Sequence, residues 1–341
     1  MRIHSQIRVQ TPDWRPTATR ETLEARAKLL AAIRAFFAAR GVLEVETPLL
    51  SSAAATAPHL DSFKTHYAGP GAAGGLTLYL HTSPEFAMKR LLAAGSGPIY
   101  QICKVFRNGE RGRIHNPEFT LLEWYRPGFD QQALVDETQQ LVTDLLGKAT
   151  LPEPSERLTY AEAFARHAQI NPLAAPIQEL HKCASSHGIE PVAGLAMDDR
   201  DGWLDLLLTH VVGPKLGRQR LCFLYDYPAS QAALARIRPG TPGQPYPVAE
   251  RFELYANGIE LASGYHELGD AIELRRRFEA DIKKRAELRT MRVPMDERLL
   301  AALESGLPDC AGVAVGVDRL VMLATGATVI DEAVSFPLDR A

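Results

Sequence analysis

The residues best placed to do chemistry lie in the stretch Tyr100–Tyr125, YQICKVFRNGERGRIHNPEFTLLEWY. Two strand-like runs flank a polar loop. Alternation places Gln101, Cys103, Val105 and Arg107 on one face of the first run and Phe119, Leu121, Glu123 and Tyr125 on one face of the second. Paired as a hairpin, the runs form a platform with an arginine, an aromatic ring, a carboxylate and a phenol. An arginine grips phosphate or carboxylate through two parallel N–H donors. The ring can stack on a base, and Glu123 with Tyr125 can hold a cation.

A second constellation is ERFELYANGIELASGYHEL, residues 250–268. Asn257-Gly258 between alternating runs is a strong hairpin signal. A two-residue turn pairs Tyr255 with Glu260 and Glu253 with Ala262. Glu253 and Glu260 then share a face as diagonal neighbours, roughly 7–8 Å apart at the backbone. Two such carboxylates repel unless a cation lies between them, and Mg²⁺ bridging nucleotide phosphates meets that need. Asp318-Arg319 stand where a glycine-spaced strand, 312–317, runs into an apolar helix. An arginine there opposes the helix dipole, so an anionic or aromatic partner is expected. Ser83-Pro84-Glu85 reads as a helix start, with proline in the first turn and an acid near the positive helix end.

The elements that must position these residues are legible from periodicity. A helix is expected over about 20–40, with Leu23, Leu30, Ile33 and Phe37 as its apolar stripe and Gly41 as its stop. A short strand in GVLEVETPLL follows, ended by Pro48. Residues 51–75 read as loop and 76–81 as a strand. Helices are expected over 131–146, 160–167, 178–187, 201–212, 272–289 and 296–305. The run LCFLYDYPASQ starts as a strand at Leu221, and PGTPGQPYPVA reads as a loop.

Composition bounds the answer. The 341 residues carry a net formal charge of −3, with 46% hydrophobic and 23% charged residues. That suffices for one large domain with a sizeable core and gives no nucleic-acid signature. No apolar run reaches the roughly 18 residues of a membrane span. The N-terminal MRIHSQIRVQTPDWRP has no apolar signal core. Cys103, Cys183, Cys222 and Cys310 are scattered without zinc spacing. A cytoplasmic protein is expected.

FRNGERGRIHNPEFTLLEWY strongly resembles motif 2 of class II aminoacyl-tRNA synthetases in its lysyl form. The helix–strand–proline segment at about 20–50 is similar to motif 1, the dimer-forming element, and GVDRL within about 311–326 to motif 3. The resemblance implies one catalytic domain over 1–341 of the α+β class, an antiparallel sheet flanked by helices, and ATP-dependent activation of a carboxylate. Arg107 and Arg319 would be the catalytic pair, Arg107 holding the α-phosphate and the substrate carboxylate. Asn108, Gly109, His115, Asn116, Phe119, Glu260, Leu261 and Gly316 would complete the ATP site. His115 and Arg113 would meet the outer phosphates, Asn116 would read the adenine edge, and Phe119 and Arg319 would sandwich its ring. Glu253 and Glu260 would bind Mg²⁺. Ser83, Pro84, Glu85, Ser263 and Ala314 would line the amino-acid pocket. There Glu85 faces the amino group, and Glu123, Tyr125 and Glu267 hold the ε-ammonium.

Within the lysyl group the chain is most similar to the paralogues that attach (R)-β-lysine to a lysine of translation elongation factor P. The first motif begins near residue 20, which leaves no room for an N-terminal anticodon-binding domain, so no tRNA partner is expected. Ala314 stands where tRNA-charging enzymes usually carry glycine. The alternatives are a minimal lysyl-tRNA synthetase-like enzyme using α-lysine, and a non-catalytic regulatory paralogue. Two departures stand out. Gly109 occupies the usual acid position of Arg-x-Glu; either Glu110 substitutes with a shifted loop, or the Gly109 backbone contacts ATP. Ser263 replaces the usual asparagine.

Overall fold

The computed structural model describes residues 13–190 and 195–341. The signal-core reading rests largely on residues 1–12, which lie outside the described residues.

Among the described residues the chain runs α1 (Arg20–Ala38), β1 (Leu43–Glu44), β2 (Leu50–Ser51), β3 (Lys64–Tyr67), β4 (Leu76–Leu80), α2 (Glu85–Ala93), β5 (Ile99–Phe106) and β6 (Glu118–Pro127). Then come α3 (Gln131–Thr150), β7 (Glu156–Thr159), α4 (Tyr160–Ala168), α5 (Ile177–Ser186), α6 (Arg200–Leu207) and β8 (Leu221–Pro228). The last part holds β9 (Ile237–Arg238), β10 (Val248–Ala256), β11 (Ile259–His266), α7 (Ala271–Glu287), α8 (Glu297–Gly306), β12 (Cys310–Gly316) and α9 (Val317–Thr325). The large sheet has the order β1-β5-β6-β12-β11-β10-β8-β7, with β9 on β10. Its pairs are antiparallel except β1–β5 and β7–β8 at the two edges. This is the expected α+β architecture.

One sheet face is the core. Leu122 and Trp124 of β6, Val313 and Val315 of β12 and Phe252 and Leu254 of β10 pack against Ile33 and Phe37 of α1, Leu134 and Leu141 of α3 and Leu320 and Val321 of α9. Burying such side chains supplies about 25 cal/mol per Å² of apolar surface removed from water. The alternate residues face the other way, so α1, α3 and α9 leave the opposite face free for polar groups. The buried stripe of α1 is Leu29, Ile33, Phe36 and Phe37; Leu23 is 38% exposed, so the expected stripe was rotated by part of a turn.

Two further expectations shift. Residues 51–75 hold β3, which joins β4 and β2 in a small second sheet. The helix expected over 201–212 ends as α at Leu207 and continues as a π turn over 208–212. The Asn257-Gly258 turn forms as expected, with positive φ at both residues (50° and 73°). However, a bulge follows: Tyr255 pairs with Glu260, but Leu254 pairs with Ala262 and Glu253 with Ser263. The extra residue, Leu261, lets Glu253 face Ser263 instead of the expected Ala262.

Candidate active site

The register of the central strands builds the site row by row. Gln101, Glu123, Ala314, Ser263 and Glu253 lie opposite one another across β5, β6, β12, β11 and β10. The next row is Ile99, Tyr125, Gly312, Tyr265 and Arg251. Glycine at 312 has a reason: an added Cβ would come within 2.3 Å of the Tyr125 ring and 2.7 Å of Glu267. Its absence lets Tyr125 lie across β12.

Two cavities open on this face. The larger, about 920 Å³, is lined by all eight residues of the expected amino-acid pocket: Ser83, Pro84, Glu85, Glu123, Tyr125, Ser263, Glu267 and Ala314. Its outer wall includes Ala53–Leu60, a stretch that reads as plain loop in the sequence. Buried Arg285 of α7 pins that wall by donating to the carbonyls of Ala57, Leu60 and Met291 and to Asp61. Ala229, Ser230 and Gln231, from the YPASQ turn, form another side.

At the bottom of this cavity the carboxylates are closely organised. Glu123 accepts from Tyr125 Oη at 2.6 Å and from Ser83 Oγ at 2.7 Å. Burial first, and then Glu85, push its carboxyl up to about 7. Burial pushes Glu267 up to about 8 against the opposing pull of Lys89. The sequence reading missed Lys89, although its i, i+4 spacing from Glu85 was a usable signal. Its Nζ lies 2.6 Å from Glu85 and 2.6 Å from Glu267, and its side chain is 1% exposed. Burial alone would strip its proton; Glu267 and then Glu85 reverse this and hold it above the ordinary lysine range. Glu267 is therefore not a free carboxylate facing the cavity but one already gripped from behind.

The smaller cavity, about 80 Å³, is lined by Arg107, Glu110, His115, Asn116, Phe119, Glu260, Leu261, Gly316 and Arg319. It shares Arg107, Leu121, Ser263 and Ala314 with the larger one. The Arg107 guanidinium lies over the Phe119 ring, 5.0 Å from its centroid. Arg319 donates to the Glu260 carbonyl (2.6 Å) and to His115 Nε2 (2.9 Å). His115 thus accepts at Nε2 in its neutral form; burial and then Arg319 hold its pKa low. Burial and the neighbouring Glu253 push Glu260 up to about 7.

Several expected ATP-site residues are placed differently. Asn108 and Gly109 line neither cavity; the Asn108 N–H donates to the Asp61 carbonyl, and Gly109 has a φ of 85° with open space around it. Instead it is Glu110 that reaches the smaller cavity, 3.8 Å from Arg107. Asn116 is 5% exposed and spends its amide on the Glu118 carbonyl and the Leu338 N–H. Arg113 donates to the Thr328 carbonyl. Glu253 lines neither cavity: Arg251 Nη2 and Tyr255 Oη donate to its two oxygens at 2.6 and 2.7 Å. For Asn108, Asn116 and Arg113 a partner far along the chain claims a polar group, whereas Glu253 is held by neighbours two residues away on its own strand. Ser263 Oγ, by contrast, is buried without a hydrogen-bond partner between the two cavities.

Asp318 has a structural task. It is 1% exposed, pairs with Arg26 of α1 and accepts from the Thr120 N–H at 2.7 Å. One carboxylate thereby ties α1, β6 and α9 together beneath the arginine-lined cavity.

Comparisons with known proteins show the family of the chain. The family model for class II tRNA synthetases (D, K and N) matches residues 3–340. A protein of Klebsiella pneumoniae subsp. pneumoniae named elongation factor P--(R)-beta-lysine ligase is 52% identical over 97% of this chain and 99% of its own length. Proteins of the same name from Edwardsiella ictaluri and Pectobacterium atrosepticum are 52% and 50% identical, over 96% and 97% of this chain and 98% and 99% of theirs. The chain belongs to the class II tRNA synthetase family.

Proposed function

We propose that this chain activates (R)-β-lysine with ATP and transfers it to a lysine ε-amine of elongation factor P. The observation that carries the reading is the seam between the cavities. A carboxylate-rich pocket suits an amino acid with two ammonium groups. A pocket with two arginines beside an aromatic ring, Arg107, Arg319 and Phe119, suits a nucleotide. Arg107 and Ser263 border both, where a substrate carboxylate would meet the α-phosphate. The names of the relatives point to the same substrates.

In the first step a substrate carboxylate oxygen attacks the α-phosphorus, and the bond to the pyrophosphate oxygen breaks. The aminoacyl-adenylate and pyrophosphate result. Arg107 neutralises charge on the equatorial oxygens, and Arg319 stacks on the adenine and meets the triphosphate; fixed positive partners of this kind supply most of the rate in such transfers. To admit an adenine, Arg107 must leave the Phe119 face, at a cost of about 1 kcal/mol for the cation–π contact. In the second step the neutral acceptor amine attacks the acyl carbon, AMP departs with the C–O electron pair, the nitrogen gives up its surplus proton to solvent, and an amide forms. Mg²⁺ would be held by Glu260, whose side chain is partly exposed on the nucleotide side, and would neutralise phosphate charge there, while both oxygens of Glu253 are bonded to Arg251 and Tyr255. No cluster of three or more potential metal ligands occurs among the described residues. A homodimer is part of the same reading. Leu43, Leu49, Leu50, Tyr67 and Leu76 are all exposed, and they belong to the three strands of the small sheet and to the segment between α1 and β2.

The test is ATP–pyrophosphate exchange with (R)-β-lysine and α-lysine side by side, followed by transfer to elongation factor P and to tRNA. Exchange favouring (R)-β-lysine with labelling of the factor is expected, and Ala314→Gly should move preference toward α-lysine about tenfold or more. Charging of tRNA with α-lysine would replace this reading by a minimal synthetase. No exchange with either isomer would remove the enzyme reading altogether.

A further inference from the structure

At the bottom of the larger cavity three carboxylates, Glu85, Glu123 and Glu267, cluster with one ammonium, Lys89, behind the wall; the other acids lining that cavity, Asp201, Asp205, Asp281 and Asp296, form no ion pair with Lys89. Glu123, Glu267 and Lys89 are 3%, 1% and 1% exposed. Lys89 does not line the cavity; it sits behind the wall on the inner face of α2 and reaches Glu85 and Glu267 equally, at 2.6 Å. The substrate cannot touch it. A buried ammonium persists only where carboxylates compensate its desolvation, and the carboxylates in turn need it to stand so close together.

We propose that Lys89 is a positioning residue that sets the charge of the pocket: it cancels one of three carboxylates and fixes Glu85 and Glu267 in place, leaving two negative charges for a substrate with two ammonium groups. A diamino acid then displaces the protons that burial keeps on Glu123 and Glu267 in the empty pocket, and binds with its ammonium groups matched and its own carboxylate left for Arg107. A monoamino acid leaves one buried carboxylate unmatched and is rejected. The inference rests on the lysine-isomer reading above.

The other groups around Lys89 do not alter the count. From β6 come Glu123 and the Tyr125 phenol, which burial and then Glu123 hold far above its ordinary pKa and so neutral. From β12 comes the Cys310 thiol, pushed up to about 12 by burial first and Glu267 second. Arg236 donates to the main-chain carbonyl of Glu267, at 2.8 Å, and not to its carboxylate, while its guanidinium also pairs with Asp309 at 2.6 Å.

The experiment is calorimetric titration of the whole chain with (R)-β-lysine, α-lysine and norleucine, the last lacking the second amine, at several pH values between about 6.5 and about 8.5. Titration with ATP serves as control. The proteins are wild type, Lys89→Met, Lys89→Arg and the double variant Lys89→Met/Glu267→Gln. In Lys89→Met a proton must replace the lost charge. Diamino-acid affinity should fall at least about tenfold near neutral pH, recover as pH rises, and be accompanied by release of an additional proton. Lys89→Arg should restore part of the affinity without the new pH dependence. The double variant, in which the count is again two, should bind diamino acids more tightly than Lys89→Met. ATP affinity should stay within about threefold throughout.

Equal losses for ATP and amino acid, with an unchanged pH profile, would reduce Lys89 to a purely structural ion pair. A double variant weaker than Lys89→Met would overturn the charge count. Wild-type protein that binds diamino acids but catalyses no exchange would overturn the proposed reaction while leaving these comparisons decisive for Lys89. Failure of wild type to bind any diamino acid would overturn both.

Discussion

Buried acids give the site a pH signature at the scale of single residues. Glu123 and Glu267 are pushed up to about 7 and about 8, chiefly by burial. In the unfolded chain both return to the ordinary glutamate range near pH 4.3. Between these limits the folded chain binds more protons than the unfolded one. Its stability therefore falls as pH rises through the folded-state values. His266, raised by Glu250, contributes with the same sign. His81 and His115, both lowered, contribute with the opposite sign, but only below about pH 6.5, where unfolded histidine takes up its proton. Thermal melting between about pH 6.5 and about 8.5 should thus show a falling midpoint. Glu123→Gln should reduce the slope, and saturating diamino acid should flatten it, because two ammonium groups replace the protons. A midpoint that rises across the window would contradict the buried-carboxylate picture.

At the scale of elements, the hairpin of β5 and β6 depends on the chain end. Arg111 makes a two-pronged pair with Asp331 at 2.7 Å for both bonds. The Ile330 N–H donates to the Arg113 carbonyl at 2.8 Å, and Leu338 is joined to Asn116. Ile330 itself lines the smaller cavity. The C-terminal segment is thus a strap across the loop that carries Glu110, His115 and Asn116. The Arg111–Asp331 pair is about one third exposed on each side, so its own contribution to stability is at most about 1 kcal/mol. Asp331→Ala should consequently leave the melting midpoint within about 3 °C while raising the KM for ATP about threefold to tenfold, with the amino-acid KM unchanged. Steady-state exchange kinetics with each substrate varied in turn would check this. Equal change in both constants would mean that the strap acts on the whole site and not on the loop.

At the scale of the whole molecule, apolar surface is concentrated where the first helix leads into the small sheet. Leu43 is 57% exposed, Leu50 44%, Tyr67 44% and Leu76 44%. β1 is also an edge strand with one free side, a feature that usually requires covering. The proposed dimer would cover both. Leu50→Asp should shift the protein toward monomer in light scattering at micromolar concentration. A wild-type chain that is monomeric at all concentrations would refute the dimer.

The sequence by itself determined much of this protein, because the decisive signals are local. Alternation placed Phe119, Leu121, Glu123 and Tyr125 on one face whatever the partner strand. Asn257-Gly258 forced a tight turn because both residues tolerate positive φ. Helix starts and stops followed from capping residues and glycines, and the string around Arg107 carried the family. The tertiary structure decided the rest: which polar groups remain free. Arg113 and Asn116 lie in the loop the motif predicts, yet the strap from residues 328–338 consumes their hydrogen bonds. Glu253 has the expected face, yet the bulge at Leu261 and the pairing with Arg251 and Tyr255 keep it from the cavity walls. Glu267 looked like a free carboxylate until Lys89 was found behind it. A side chain's face is set by backbone period, which sequence encodes directly. Its availability depends on partners up to hundreds of residues away, and only the folded chain brings those into contact.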